Sequence, residues 1–275
     1  MVDTVSISLI VSTYNQPDFL ALALHGVAAQ EDRDFELVIA DDGSDKTTKG
    51  VIDHFISEHN IKTTHIWHED TGYNKADILN KAITATKGEY IIFLDGDCIP
   101  RKSYISDHRK LSQHNRIVGC SRVLLDQTIT QHIVNNELHP EEWSFFAFLK
   151  LRLSGHINRI FALIPLPMGF LRNITPRRWQ KIRGCNFAIP RDVLLKTGGF
   201  DESFTGWGFE DSDLTSRAIE NGCFVKRGEY LATVVHLWHQ DAARDLTSSN
   251  LKHLQETLST RRKTAVLSQL LNNDD

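Results

Sequence analysis

Residues 90–97 read YIIFLDGD, an apolar run that ends in two aspartates around a glycine. A short apolar run between Gly88 and an acidic turn is typical of a strand buried on both faces. Two earlier segments, 5–11 and 35–40, have the same character, and 63–67 is a further short predicted strand. Apolar residues at helical spacing follow each of these three segments. Alternating strands and helices predict an α/β fold, with a Rossmann-like, mainly parallel sheet flanked by helices.

Polar residues stand where these predicted strands end. Asn15 follows the first strand, Asp42 the second and Asp95 the fourth. The carboxyl ends of parallel strands meet at one edge of a sheet, and ligands bind there. We therefore expect one crevice to contain all three side chains.

The chain after residue 100 has a less regular pattern. The predicted strands are 117–125, 186–189 and 231–235, and the predicted helices are 211–220 and an amphipathic segment at 249–271. We expect a division into three parts: 1–100, 101–240 with an insert near 143–191, and a helical tail at 241–275.

Composition narrows the class of protein. The formal net charge of −4 gives no reason to expect nucleic acid as the main partner. The four cysteines form no C-x-x-C pair, so neither a zinc site nor a disulfide framework is indicated, and a reducing compartment fits. The first apolar run is too short for a signal core, and none reaches the roughly 18 residues that span a bilayer. The expectation is a cytoplasmic protein, with contact at the inner face of the plasma membrane left open.

The stretch from Trp143 to Arg191 contains neither Asp nor Glu. Its cations are Lys150, Arg152, Arg159, Arg172, Arg177, Arg178, Lys181, Arg183 and Arg191, with aromatic and aliphatic residues between them. This pattern has two interpretations. It suits peripheral contact with an anionic lipid surface, and it equally suits a packed helical insert whose cations hold anionic groups of a substrate.

Carboxylates and imidazoles supply the candidate chemistry. Asp95 and Asp97, one residue apart after a strand, form either a cation site for a diphosphate or simply an acidic turn. His236 and His239 follow a later predicted strand. With carboxylate and phosphate oxygens they would suit Mn²⁺ better than Ca²⁺, the alternative being a structural role for both.

A second acidic signature is GWGFED at residues 206–211. A carboxylate here could remove the proton of an attacking hydroxyl, and Trp207 could offer an apolar face to a sugar ring. The alternative is a pair of acids, Glu210 and Asp211, that complement the dipole at a helix start. Asp213, one turn further in, is expected to be only a helical carboxylate.

These motifs together resemble a known family. STYN at 12–15, ADDGS at 40–44 and the D-x-D look like glycosyltransferase family 2, which implies the glycosyltransferase A fold. YNKADILN at 73–80 resembles the F-N-R-A-K-L-L-N segment of β-1,4-galactosyltransferases, and GWGFED resembles their W-G-G-E-D acceptor loop. The resemblance runs from about residue 5 to residue 239, so residues 1–100 would be the nucleotide-sugar half and 101–240 the acceptor and catalytic half.

The resemblance implies a role for each matching residue. Contacts with a UDP-sugar donor would come from Thr13, Asn15, Asp42, Lys75 and Asp95; Asp97, His236 and His239 would hold Mn²⁺ or Mg²⁺. Trp207 and Glu210 would hold the acceptor sugar, and Asp211 would be the catalytic base. Two positions depart from the pattern: His236 stands where that branch has Met, and Phe209 replaces the second glycine of W-G-G-E-D.

The implied activity is inverting, metal-dependent transfer of a hexose to a glycan or lipid-linked sugar acceptor in surface polysaccharide synthesis. Two alternatives remain. An aspartate-dependent phosphatase also uses D-x-D, but after its first strand and with a hydroxyl residue where this chain has Ile99. An inactive glycan-binding protein on the same fold would not need the carboxylates of Asp97 and Asp211.

Overall fold

The computed structural model describes residues 5–240 and 246–271. The strands are β1 (Ile7–Thr13), β2 (Glu36–Asp41), β3 (Thr63–Trp67), β4 (Tyr90–Asp95), β5 (Cys98–Pro100), β6 (Arg116–Gly119), β7 (Arg122–Leu124), β8 (Asn186–Pro190), β9 (Phe224–Arg227) and β10 (Val234–His236). The helices are α1 (Pro17–Ala28), α2 (Lys46–Glu58), α3 (Lys75–Ala85), α4 (Tyr104–Leu111), α5 (Gln127–Asn135), α6 (Phe145–Leu153), α7 (Arg191–Thr197), α8 (Glu210–Glu220) and α9 (Thr247–Thr260).

The central sheet has seven strands in the order β3-β2-β1-β4-β8-β6-β9. The pairs from β3 to β4 are parallel, β8 runs antiparallel to both β4 and β6, and β9 is parallel to β6. The prediction of an α/β fold with a mainly parallel sheet is therefore confirmed. Both halves of the chain contribute strands to this one sheet.

Helices cover both faces of the sheet because its central strands are apolar on both sides. In β1, Leu9 and Val11 pack toward α1 and α2, whereas Ile10 packs on the opposite face with residues of α3, α7 and α8. Successive side chains of a strand point to opposite faces, which accounts for this division. The layers leave the carboxyl ends of β1, β2 and β4 at one edge.

A small second sheet, β5-β10-β7, corrects the prediction of one strand at 117–125. The segment is divided between β6 in the large sheet and β7 in the small one. The division falls at Cys120, whose N–H donates to the carbonyl of Asn186 (3.2 Å), and the following Arg122 pairs with Val234 instead. A run of apolar residues does not reveal such a change of partner sheet.

The C-terminal segment also differs from the prediction. The helix ends at Thr260, because Arg261 has the left-handed φ of 53° that ends helices. The chain then returns to the body of the protein, where Leu270 packs in the same core as Leu79. Residues 241–245 and 272–275 of the predicted tail lie outside the described part of the chain.

Among the described residues, none of the helices combines the length and apolar character that crossing a membrane requires.

The basic stretch 143–191 is largely irregular rather than a helical insert. Its helix α6 is followed by short 3₁₀ turns at Phe161–Leu163, Gly169–Asn173 and Trp179–Lys181.

Candidate active site

The polar residues predicted for the donor lie at the carboxyl ends of β1, β2 and β4. Asp42 donates its backbone N–H to the carbonyl of Thr13 (3.0 Å), which joins the ends of β1 and β2. Asn15 has a positive φ of 46°, and its side-chain oxygen accepts the backbone N–H of Asp45 (2.8 Å). The loops after these two strands are therefore tied to each other.

The Asp42 carboxylate is held by two residues that follow β3. His68 Nε2 lies 2.7 Å from Oδ1, and the backbone N–H of Asn74 donates to Oδ2 (3.0 Å). Burial raises the pKa of Asp42, and the bonds from Asn74 and His68 oppose that effect. His68 in turn contacts Asp77 (3.2 Å), so a chain of polar contacts connects Asp42 to α3.

Asp95 ends β4 and forms an ion pair with the first residue of α3. Lys75 Nζ donates to Oδ1 (2.7 Å), and Ser12 Oγ donates to the same oxygen (2.9 Å). The next residue must be small: a Cβ on Gly96 would lie 2.9 Å from the carbonyl oxygen of Ser12. Glycine thus lets β4 turn toward Asp97 immediately after the strand.

Asp97 lies beside both predicted histidines because β10 pairs with β5. Asp97 Oδ2 is 3.0 Å from His239 Nε2 and 3.6 Å from His236 Nε2. The strand register sets His236 opposite Cys98, and the N–H of Leu237 donates to the carbonyl of Asp97 (3.0 Å). Two segments far apart in sequence thereby bring two imidazole nitrogens close to one carboxylate oxygen.

The donor atoms of this cluster fit a divalent cation such as Mn²⁺. The Nδ1 atom of His239 lies 2.9 Å from the carbonyl oxygen of Gln240, which can only accept a hydrogen bond. In a neutral ring Nδ1 therefore carries the proton, and Nε2 presents a lone pair to Asp97 Oδ2. Two such acceptors this close need a proton or a cation between them, and carboxylate plus imidazole suits Mn²⁺.

The pKa values of Asp97, His236 and His239 are set by burial and by the contacts of these three side chains with one another. Burial acts to raise the pKa of Asp97, but the hydrogen bond with His239 and the charges of both imidazoles lower it to about 2. The bond to Asp97 raises the pKa of His239 to about 9, whereas burial lowers that of His236. The Asp97 carboxylate thus favours positive charge on His239, whereas burial disfavours positive charge on His236.

Glu210 and Asp211 form the first turn of α8 and differ in their bonding. Asp211 Oδ2 accepts the backbone N–H of Gly184 (2.6 Å), and Oδ1 accepts that of Ser212 (2.6 Å). Glu210 Oε2 is buried and has no hydrogen-bond partner among the described residues. Burial raises the pKa of both carboxyls; for Glu210, burial and the neighbouring Asp211 charge raise it to about 7.

A cleft of about 340 Å³ brings five of the predicted residues together. They are Lys75, Asp95, Trp207, Glu210 and Asp211. Asp97 follows the lining residue Asp95 by two positions, but neither Asp97 nor its two histidines line the cleft. Thr13, Asn15 and Asp42 do not line it either. Another cavity of about 550 Å³, at the amino ends of β1 and β4, contains none of the predicted residues.

Sequence reasoning missed several residues of the site. Arg122 lines the cleft and donates to Cys185 Sγ (3.2 Å), but it lay within a predicted strand and gave no signal. Arg183 also lines the cleft; the sequence had singled it out only as one of the cations of the acid-free stretch. His68 could not be connected with Asp42 before their loops were located.

The substitution of Phe209 for glycine has a visible conformational consequence. Phe209 has φ 74° and ψ −4°, the left-handed region that glycine enters freely. Gly206 and Gly208 on either side of Trp207 also have positive φ, of 70° and 109°. The loop thus keeps a backbone suited to glycine although a phenyl ring occupies one position, and such strain concentrates at functional sites.

Comparison with known proteins identifies the family. Residues 8–163 match the model of glycosyl transferase family 2, and residues 171–240 match the N-terminal domain of galactosyltransferase. Chondroitin synthase of Escherichia coli is 26% identical over 81% of this chain and 33% of its own length. Validoxylamine A glucosyltransferase of Streptomyces hygroscopicus is 28% identical over 78% of this chain and 52% of its own. The chain thus spans between a third and about half the length of these relatives.

Solved structures show the same fold at low sequence identity. The mannosyltransferase PcManGT of Pyrobaculum calidifontis, in complex with GDP-Man and Mn²⁺, has a TM-score of 0.59 at 16% identity, covering 92% of this chain and 69% of that one. GalNAc-T7 with UDP, GalNAc and Mn²⁺ has a TM-score of 0.62 at 17% identity, covering 94% and 48%. The predicted glycosyltransferase A fold is confirmed. The chain belongs to glycosyl transferase family 2 and ends its matched region in a galactosyltransferase-like segment.

Proposed function

We propose that the protein is a metal-dependent, inverting glycosyltransferase that moves a hexose from a UDP-sugar to a glycan or lipid-linked sugar acceptor. The observation that carries the proposal is the arrangement around one cleft. Asp95 lines this cleft together with the buried carboxyl pair Glu210 and Asp211. Two residues further along the chain, Asp97 contacts His236 and His239.

The proposed binding of the UDP-sugar donor rests on the loops after β1, β2 and β4. Asp42, fixed by His68 and Asn74, presents a carboxylate to the imide of a uracil ring, with Thr13 and Asn15 beside it. Lys75 and Asp95, paired at 2.7 Å, would hold the ribose and diphosphate region. Among related solved structures, GalNAc-T7 contains UDP and PcManGT contains the nucleotide-sugar GDP-Man.

For the metal, the proposal assigns Asp97, His236 and His239 as ligands of Mn²⁺ or Mg²⁺. When bound, the cation supplies positive charge to the departing diphosphate. These side chains hold the position ready: the β5–β10 pairing fixes the backbone, and the Gln240 carbonyl fixes the ring of His239. Mn²⁺ is present in two related structures.

For the acceptor, the proposal assigns proton transfer and sugar binding to the first turn of α8. Asp211 takes the proton of the attacking hydroxyl, in the orientation fixed by the N–H groups of Gly184 and Ser212. Glu210 receives a hydroxyl of the acceptor sugar with its unpartnered Oε2, and Trp207 provides a partly exposed indole face for the ring. An in-line attack opposite the leaving UDP would invert the anomeric carbon.

The biological role that we propose is surface polysaccharide synthesis from the cytoplasmic side of the membrane. Support comes from the relatives: one named for chondroitin synthesis and another from Pasteurella multocida named for hyaluronan synthesis. The basic stretch 143–191 supports a position close to a lipid surface.

Thermal unfolding in the presence of UDP-sugars tests the function directly. A cognate UDP-hexose with Mn²⁺ should raise Tm, since ligand at 100 times Kd stabilises by about 2.7 kcal/mol. Asp97→Asn should abolish the metal-dependent part of the shift, whereas Asp53→Asn, in an exposed pair with Lys49 on α2, should retain it.

Slow release of UDP without acceptor distinguishes a transferase from an inactive glycan-binding protein. The cognate donor should be hydrolysed in the presence of Mn²⁺, and Asp97→Asn should lose this activity. A protein that binds glycans but neither binds nor hydrolyses any UDP-hexose would contradict the proposal.

A further inference from the structure

A second cleft adjoins the one that contains Asp211. It encloses about 560 Å³ and is called here the basic cleft. The cations that line it are Arg122, Arg159, Arg178, Lys181, Arg183 and Arg227. Glu229 is its one acidic lining residue in the described part of the chain. This excess of positive charge stands out in a chain whose formal net charge is −4.

The single acid leaves most of these cations uncompensated. Glu229 accepts from Arg227 Nε (2.9 Å) and lies 3.6 Å from Lys181 Nζ. The side chains of Arg159, Arg178 and Arg183 are exposed and make no hydrogen bond or ion pair with any described residue. Like charges gathered without counter-charges repel one another, so an anion bound there would relieve the repulsion.

The basic cleft is continuous with the candidate active site. Arg122, Gln180 and Arg183 line both clefts. Arg183 directly precedes Gly184, whose backbone N–H binds Asp211 at 2.6 Å. A molecule whose hydroxyl reaches Asp211 can therefore extend along Arg183 into the basic cleft.

We propose that the acceptor carries an oxyanion, a phosphoryl or carboxylate group, next to the sugar that is glycosylated, and that the basic cleft binds it. This inference rests on the proposed function and names its acceptor class. Five of the six cations are arginines, whose planar guanidinium binds phosphate and carboxylate through two parallel hydrogen bonds. The donor diphosphate does not account for Arg159 and Arg178, because neither lines the cleft of Asp95 and Asp211.

The experiment compares three acceptors that share the glycosylated sugar. One is a neutral oligosaccharide, the second has a uronate as the neighbouring residue, and the third is the sugar linked through diphosphate to a short-chain lipid. For the wild type, kcat/KM should be at least about tenfold higher for one or both charged acceptors, since charge-assisted hydrogen bonds each contribute enough for such a factor. The two charged acceptors distinguish a carboxylate from a phosphoryl source.

Variants locate the effect. The double variant Arg159→Gln/Arg178→Gln should raise KM for the charged acceptor by roughly tenfold, with a smaller change in kcat and in KM for the neutral acceptor. Arg177→Gln is the matched control: this neighbouring arginine pairs with Glu220 (2.8 Å) and does not line the basic cleft. It should keep the wild-type values with all three acceptors.

Calorimetric binding of the same acceptors without donor gives a readout independent of turnover, and the charged acceptor should bind less tightly as ionic strength rises. Equal use and equal binding of neutral and charged acceptors by the wild type would overturn the inference. So would a double variant that behaves like Arg177→Gln. If the wild type instead fails to release UDP from any UDP-hexose, it is the proposed function that fails.

Discussion

Glu210 and Asp211 are neighbours in sequence but have different bonding partners. Asp211 is oriented by two backbone N–H groups, and the start of α8 adds a favourable dipole. Glu210 keeps one buried oxygen that has no partner among residues 5–240 and 246–271. A proton acceptor must be held in a fixed direction, whereas a group that binds a substrate hydroxyl must have an unused acceptor. This difference supports the proposed assignment of Asp211 as the base and Glu210 as the group that binds the acceptor.

Conservative substitutions at the two carboxyls test the assignment. Asp211→Asn keeps the shape but removes the basicity, so kcat should fall by roughly 10²–10⁴-fold with little change in donor KM. Glu210→Gln should mainly raise acceptor KM. Initial rates with varied donor and acceptor provide the measurement. Near-normal turnover of Asp211→Asn at saturating acceptor would make Glu210 the base.

The pH dependence of the rate follows from the direction of the same pKa shifts. Burial raises the pKa of Asp211 above its ordinary value of 3.8, and the base acts only when ionised. Activity should therefore be present above the raised pKa and be lost as the pH falls through it. The acidic limb of kcat/KM should lie above the ordinary aspartate range. A limb at or below that range would contradict a buried base.

Individual residues of the site were predictable to different degrees. Asp95, Asp97 and Glu210-Asp211 stand in recognisable local patterns, so sequence alone singled them out. Their mutual placement was not predictable, because the pairing of His236 with Cys98 joins segments more than a hundred residues apart. The unpartnered oxygen of Glu210 is likewise a property of the packed structure.

At the scale of elements, α8 is the helix that carries the proposed acceptor chemistry, and a buried ion pair anchors it. Arg217 is fully buried; its Nε donates to Asp213 Oδ2 (2.7 Å). Its other nitrogens donate to the carbonyls of Thr197 and Gly199 (2.7 and 2.9 Å). Asp213, expected to be an ordinary helical carboxylate, therefore fixes α8 against α7 and the loop after it.

Removal of the Arg217 side chain should be strongly destabilising. Arg217→Ala leaves buried Asp213 with only the partly exposed Arg262 as a cation (2.9 Å), and loss of one partner of a buried ion pair costs about 3–5 kcal/mol. Arg177→Ala removes an exposed partner of Glu220 on the same helix and should cost less than about 1 kcal/mol. Urea unfolding followed by circular dichroism measures both. Similar unfolding free energies for the two variants would show that the pair does not anchor α8.

The stretch 143–191 remains the element with two interpretations, and its exposed apolar side chains support lipid contact. Phe146, Leu153, Phe161 and Phe170 are 77%, 81%, 72% and 79% exposed. We predict that the protein sediments with anionic liposomes at low salt and less at high salt, because screening weakens the attraction. Phe161→Ser/Phe170→Ser should reduce binding.

A matched control for the liposome experiment is Ile56→Ser, which removes an exposed apolar side chain of α2 outside the stretch. It should bind liposomes like the wild type. If the protein does not sediment with liposomes at low salt, the lipid-contact interpretation is wrong, and binding of the acceptor remains the role of the stretch.

For the whole molecule, the alternation of strands and helices sufficed to predict the fold class and the parallel half of the sheet. The antiparallel β8 was not predictable, because its short apolar sequence is compatible with either direction. Nor could sequence indicate that residues after α9 return to α3. These features depend on which distant segments pack together, and local patterns carry little information about that.

Asn80 connects distant parts of the whole chain. This fully buried residue of α3 donates to the carbonyl of Phe200 (2.9 Å) and to Glu202 (2.7 Å), and its Oδ1 accepts the N–H of Phe200 (2.9 Å). Ser268 of the returning C-terminal segment lies 3.3 Å from its Nδ2. One amide thus joins the helix that begins with Lys75 to the loop before α8 and to the C-terminal segment.

Asn80→Ala should therefore weaken the whole molecule rather than one helix. It leaves the N–H and carbonyl of Phe200 buried without their partner, at about 1–3 kcal/mol for each unsatisfied group. The control Asn136→Ala removes an amide that binds His132 at the exposed end of α5 and should change the unfolding free energy far less. Urea denaturation should show one cooperative transition shifted to lower urea for Asn80→Ala. An unchanged midpoint, or loss of the C-terminal segment alone, would mean that Asn80 does not hold α3, the loop before α8 and the C-terminal segment together.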